Sequence, residues 1–215
     1  MKHTLKPSRD GGAGDSANRS PELADMSVRD FLQRLSSPQL PAGGGGAAVM
    51  VAMAAAVAEM AANVSHRGAG ASPAADRLRR IRNGAHELLE AEAESYAAVM
   101  AARHQRGSDA AEALRDALIG ASDGPLELAE LAAEVAVLGA RLAREGKRTV
   151  FADAAAAVTA ATAAARTARA IVVSNLGSLP DQQARIGRAT DLVARAAAAE
   201  RIVLAMRVPS VPISR

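Results

Sequence analysis

Pro41-Ala42-Gly43-Gly44-Gly45-Gly46-Ala47-Ala48-Val49-Met50-Val51-Ala52-Met53 is the stretch from which the fold is read. Glycine tracts that act as linkers lead into polar chain. This one leads into the most apolar run of the sequence, which makes it a buried junction rather than a tether. The pattern predicts a stiff turn over Pro41 to Gly45 and a helix from about Gly46 to His66. Glycine amides lack a side chain to shield them, and a helix start carries unpaired N–H groups and partial positive charge. Gly43, Gly44, Gly45 and Gly46 are therefore candidates for holding an anion or a polarised carbonyl. The competing reading is that they only let two backbones pack closely.

On the same helix Glu59, Asn63 and His66 fall on one face at i, i+4 and i+7. Such a stripe marks either a ligand contact or the point where the helix emerges into solvent. N-terminal to the glycines, Val28, Phe31, Leu32 and Leu35 have helical spacing, with Ser27 as N-cap and a stop at Ser36-Ser37-Pro38. Residues 1–25 mix Gly, Ser, Asn, Pro and balanced charge with almost nothing apolar, and read as a disordered tail ahead of a single domain, 26–215. Met26 stands as an alternative initiation residue.

C-terminal to the first long helix, Gly68 to Pro73 form a loop. Pro73 opens a helix to about His104, whose apolar positions from Leu78 to Met100 keep the 3.6 period. Glu92 and Tyr96, four apart, share one of its faces. Gly107-Ser108-Asp109 caps a short helix through Ile119, and Asp123-Gly124-Pro125 restarts the chain to Glu145, with Gly146 as the stop. After the basic connection Lys147-Arg148-Thr149, a nearly polyalanine helix spans about Val150 to Leu176. Asp153, Ala157, Ala160, Ala164, Ala168, Ile171 and Asn175 lie along one of its faces, so Asp153 and Asn175 bracket a tight helix contact. Alone, Asp153 reads as a first-turn acid facing a positive helix end. Pro180 opens a last helix to about Met206.

No stretch alternates with a β period. The expected fold is all-α, an antiparallel bundle of about five long helices plus short ones. Alanine-rich helices bury little area each, so further burial by homodimerisation is expected.

Composition removes several function classes. With 215 residues, no Cys and no Trp, the chain has no disulfide and no thiolate metal site. His66, His86 and His104 lack paired ligand spacing, so no metal is expected. A net charge of +3 leans mildly towards anionic partners. Dispersed arginines and only three aromatics, Phe31, Tyr96 and Phe151, argue against nucleic acid. Gly43 to Ala48 can be aligned with a dinucleotide fingerprint, but no strand precedes it. No signal-type run opens the chain, and the apolar stretch from Ala47 meets a charge at Glu59, too early to span a bilayer. A soluble, cytoplasmic protein without a membrane partner is expected.

Several blocks carry a family resemblance. Ser36-Ser37-Pro38 with the glycine tract, Met60-Ala61-Ala62-Asn63-Val64-Ser65, the run from Glu92 to Ala102, Gly146 followed by Ala152-Asp153-Ala154, and Ser174-Asn175-Leu176 together resemble the cyclodeaminase/cyclohydrolase family. Order and spacing agree from about Met26 to Leu204. That family includes formiminotetrahydrofolate cyclodeaminases and methenyltetrahydrofolate cyclohydrolases. The resemblance implies an all-α homodimer that acts on tetrahydrofolate one-carbon units, with a tetrahydrofolate derivative as substrate and no bound cofactor or metal. It casts Glu92 as the acid/base carboxylate and Asp153 as a second carboxylate. Asn63 and Asn175 would bond the pterin or amide groups, and Tyr96 would offer a ring face. The Gly43 to Gly46 amides, with Lys147 or Arg67, would take the anionic portion.

Departures from the family pattern fall on polar positions. Gly46 stands in a Ser position, Glu92 replaces Asp, His104-Gln105-Arg106 replaces Leu-Pro-Lys, Lys147 replaces Asn, and Ile171 replaces Asn. The alternative implied is a helical dimer that keeps the fold as a binding or structural protein without the chemistry.

Overall fold

A computed structural model of the chain describes residues 26–37, 42–66 and 72–206. The expected tail 1–25, Pro41, Arg67 and the C-terminal prolines lie outside the described residues. Those described form seven α-helices, α1 (Val28–Leu35), α2 (Ala42–Ser65), α3 (Pro73–His104), α4 (Ala110–Gly120), α5 (Asp123–Glu145), α6 (Phe151–Leu176) and α7 (Gln183–Leu204). A short 3-10 helix, Arg148–Val150, precedes α6. No strand occurs among the described residues.

Local side-chain caps account for two of the helix starts. Ser27 caps α1 by accepting from the Asp30 N–H at 3.2 Å, and Ser72 caps α3 by accepting from the Ala75 N–H at 3.3 Å, with Pro73 in the first turn. Asp109 precedes α4 without making a side-chain cap, and α7 begins at Gln183, not at Pro180. The largest departure is at the glycine tract. Gly43 to Gly46 are helical, inside the first turns of α2, and not a turn ahead of it. Isolated, each glycine costs a helix about 1 kcal/mol relative to alanine, so tertiary contacts must hold this segment helical.

Five long helices form an up-and-down bundle. α2 runs antiparallel to α3, as shown by Gly45 against Leu89 at one end and Glu59 against Arg82 at the other. α5 runs antiparallel to α6, from the Asn175–Ala121 hydrogen bond to the approach of Gly139 to Val158. α6 runs antiparallel to α7 through Thr162, whose buried hydroxyl donates to the Val158 and Ala196 carbonyls. The α6 alanines perform as the spacing suggests. Ala157, Ala164 and Ala168 are buried, and a Cβ on Gly139 would come within 2.8 Å of Val158 Cγ2. Small side chains here bring axes close and replace side-chain bulk with backbone contact.

Two helices, over 43–65 and 148–176, are long and apolar enough to cross a bilayer. The sequence reading counted the first only from Ala47 to Glu59; the helical glycines and the turns beyond Glu59 lengthen it. About half of each window, 50% and 44%, is buried inside the bundle, as for core helices. One face of α2 is exposed along Met53, Ala56, Met60 and Asn63. Met53 is 63% exposed and Met60 40%, beside Val28 and Leu32 of α1 at 76% and 58%. A groove of about 730 Å³ runs along this face, walled by Phe31, Leu35, Val49, Met50, Met53 and Leu89, with Arg82 and His86 also lining it.

Candidate active site

Glu92 is the unusual residue of the interior. It lies two thirds of the way along α3, at 8% exposure, among apolar neighbours. No hydrogen bond or ion pair from the described residues reaches its carboxylate. Its place is made by two helix starts. A Cβ on Gly44, in the first turn of α2, would fall inside the van der Waals envelope of Glu92 Oε1, Cδ and Cγ. On the other side, a Cβ on Gly124, the second residue of α5, would lie 3.8 Å from Glu92 Oε2.

Burial pushes the Glu92 carboxyl above its ordinary 4.5, since the charged form loses its hydration. A carboxyl that holds its proton more tightly than usual is suited to passing it to a substrate atom and taking it back.

The sequence candidates divide between the two ends of the bundle. Gly43 to Gly46, Glu92 and Asn175 meet at one end, with Tyr96 one turn beyond Glu92 and 38% exposed. Asn175 donates from Nδ2 to the Ala121 carbonyl at 3.1 Å, so its amide is committed to the α4–α5 joint. Ile171, in the position of an expected Asn, packs its side chain 3.6 Å from where a Gly43 Cβ would be.

Asn63, Lys147 and Asp153 lie at the opposite end. The Lys147 backbone N–H donates to Ser65 Oγ at 3.1 Å, joining the end of α2 to the start of the last third of the chain. Asn63 and Lys147 face solvent, while Asp153 sits half-buried in the first turn of α6. Along α6, 22 residues separate Asp153 from Asn175, about 33 Å at 1.5 Å per residue. Within one chain, then, Glu92 and Asp153 do not converge. The polar stripe on α2 divides too, with Glu59 paired to Arg79 and Arg82 at 3.3 and 3.2 Å and Asn63 and His66 emerging into solvent.

Gly124 was not a sequence candidate. Its signal, Asp-Gly-Pro at a helix restart, reads equally well as ordinary punctuation, and only the opposing Glu92 gives it a place in the site. Among the described residues no group of three or more His, Cys, Asp or Glu is arranged to hold a metal ion.

The sequence matches the model of the formiminotransferase-cyclodeaminase family over residues 27–191, well over half its length. The chain belongs to the formiminotransferase-cyclodeaminase family. Among solved structures it is similar to the formiminotetrahydrofolate cyclodeaminase of Thermotoga maritima. The TM-score is 0.74 at 22% identity, covering 85% of this chain and 96% of the other. At that identity the likeness establishes a shared fold. None of the curated proteins matches the chain significantly. The formiminotransferase-cyclodeaminase match spans both ends of the bundle, the glycine tract and Glu92 as well as Asn63, Lys147 and Asp153.

Proposed function

We propose that this protein is a folate one-carbon enzyme in which Glu92 is the general acid/base. The observation that carries the reading is a buried, unpaired carboxyl set between two helix N-termini, in a chain of the formiminotransferase-cyclodeaminase family. In the hydrolytic direction, water adds to the methenyl carbon of 5,10-methenyltetrahydrofolate while Glu92 takes its proton. The C–N5 bond then breaks, the proton passes from Glu92 to N5, the hydroxyl proton goes to solvent, and 10-formyltetrahydrofolate is released. In the deaminating direction, N10 of 5-formiminotetrahydrofolate, protonated on its formimino nitrogen, attacks the formimino carbon. Glu92 moves the N10 proton to the departing amine, and ammonia leaves as the cationic methenyl bridge closes. Both routes pass through a tetrahedral carbon beside a delocalised cation, and one carboxyl that alternates between acid and base serves either.

We further propose that the chain pairs with a second copy through the exposed face of α1 and α2. Gly46, Val49, Met53, Ala56, Met60 and Asn63 recur along α2 at spacings of three and four, one continuous apolar stripe ending in a polar residue. Two such stripes packed antiparallel about a two-fold axis lay the Asn63 end of one α2 alongside the glycine end of the other. This arrangement brings together the two sets of site residues that a single chain keeps apart. Met53→Asp is expected to yield a folded monomer in sedimentation with cyclase or hydrolase turnover lost. A dimer of unchanged strength would remove this face from the interface.

The separation of Asp153, Asn63 and Lys147 from Glu92 in one chain favours a second reading, a non-catalytic helical scaffold. One absorbance assay decides between them, following the methenyl chromophore with methenyltetrahydrofolate and separately with formiminotetrahydrofolate. Loss of the chromophore from the first identifies a cyclohydrolase, and its appearance from the second a cyclodeaminase. No change in either, with the protein folded, leaves the scaffold.

A further inference from the structure

The first turn of α5 lies over Glu92 because of how α4 and α5 are joined, and that joint is held from elsewhere in the bundle. α4 ends at Gly120 and α5 begins at Asp123, leaving Ala121 and Ser122, both buried, as the whole connection. Asn175 of α6 donates to the Ala121 carbonyl at 3.1 Å. Arg185 of α7 donates from Nη1 to the Ile119 carbonyl at 3.3 Å and pairs with Asp123 Oδ1 at 2.6 Å. Ser122 Oγ closes the joint on itself by donating to the Leu118 carbonyl at 2.9 Å. Two residues further on stands Gly124, where a Cβ would lie 3.8 Å from Glu92 Oε2. Neither Asn175 nor Arg185 is recorded in contact with the carboxyl, yet the turn that covers it is tied to both.

We infer that Asn175 and Arg185 are positioning residues that hold the first turn of α5 against the Glu92 carboxyl and control how much water reaches it. This deepens the acid/base reading of Glu92 and rests on it for its catalytic consequence. The physical link is short. If the joint loosens, Gly124 and the leading amides of α5 withdraw, water enters, and the carboxyl regains the hydration that burial had removed. Of the two ties, Asn175 is the informative one because it carries no charge. On α3 the ionisable groups within six residues of Glu92 are His86, Glu87, Glu90, Glu94 and Tyr96; α4, which packs against α3, carries Glu112, Arg115 and Asp116, and the start of α5 carries Asp123 and Glu127, the former held by Arg185. The first turns of α2, 42–48, and the last turn of α6, 171–176, contain none. Removing the Asn175 amide therefore alters solvent access without altering local charge.

The test is a direct titration of Glu92 by carbon NMR of protein labelled in glutamate side chains, with Glu92→Gln identifying the resonance. Wild type, Asn175→Ala and Asn175→Gln are compared, the last retaining an amide donor. In Asn175→Ala the Glu92 titration is expected to move down towards 4.5, with turnover reduced about 10- to 100-fold, mainly in kcat. Asn175→Gln should recover part of both. Unchanged titration in Asn175→Ala, with only a lower Tm, would overturn the inference and leave Asn175 a structural tie. If Asn175→Ala does not fold, Asn175→Ser, a neutral change at the same joint that withdraws the amide, is read in the same way. The titration needs no turnover, so a shifted titration in an inactive wild type would refute the folate reading while sustaining the positioning role. Turnover with an unmoved titration would do the reverse.

Discussion

Replacing Glu92 by glutamine is expected to raise stability near neutral pH and abolish turnover. Glutamine keeps the size and shape of the side chain, so the contact with Gly44 and the close approach to Gly124 survive. What disappears is the cost of ionising a desolvated carboxyl, and gains on the order of 1 kcal/mol, about 2–4 °C in Tm for a chain of this length, are typical of such relief. The pH dependence carries the sign. Because burial raises the folded-state pKa, the folded chain binds this proton more tightly than the unfolded chain. The stabilising contribution of protonation is present in full below about 4.5 and is lost as pH rises through the raised folded value. Wild type should therefore lose stability across that window while Glu92→Gln does not. Chemical denaturation from pH 4 to 8 measures it, and parallel curves would show that the carboxyl is hydrated in the folded chain. Turnover should fall at least 10²-fold if Glu92 transfers the proton. An unchanged rate removes it from the mechanism.

The second large effect separates glycines that look alike in sequence. Gly44→Ala places a methyl group where the Glu92 carboxyl already sits, at a point fixed by two packed helices. Either the carboxyl is driven from its place or α2 and α3 move apart, and overpacking of this kind costs about 1–3 kcal/mol. Loss of stability and loss of activity should come together. Gly46→Ala, two residues on, meets nothing within 4 Å in the chain. There the only consequence is a better helix former, worth up to about 1 kcal/mol in favour of the folded state. Thermal melts of the two variants give opposite signs if the helical placement of the tract is right. Destabilisation by Gly46→Ala would mean that a second molecule packs at that position, as the proposed α2 pairing allows.

The helical class, the five long elements and the tight α6 contacts were legible because they depend on periodicity and on side-chain size, both properties of local sequence. The Ser27 cap, the Pro73 start and the stop at Gly146 were readable for the same reason. The glycine tract was misread as a turn because intrinsic propensity argues against four helical glycines, and the contact that reverses this lies on another helix. Of the candidate site residues, Glu92 was singled out by sharing a face with Tyr96 and by the family resemblance, while its burial was not legible. Asn175 was correctly placed at a helix contact, but the Ala121 carbonyl it bonds to was invisible.

By itself the sequence determined which segments are helices, which faces are apolar, where alanine permits close approach and which family pattern the polar residues follow. Tertiary structure alone decided that Gly44 and Gly124 bracket Glu92, that Asp153 and Asn63 lie at the far end of the bundle, and that one face of α2 remains exposed. The physical reason is range. Helix formation and amphipathicity act over one or two turns, whereas desolvation of a carboxyl, the room a glycine leaves and the meeting of two helix ends are set by residues dozens of positions apart, brought together only when the core is packed.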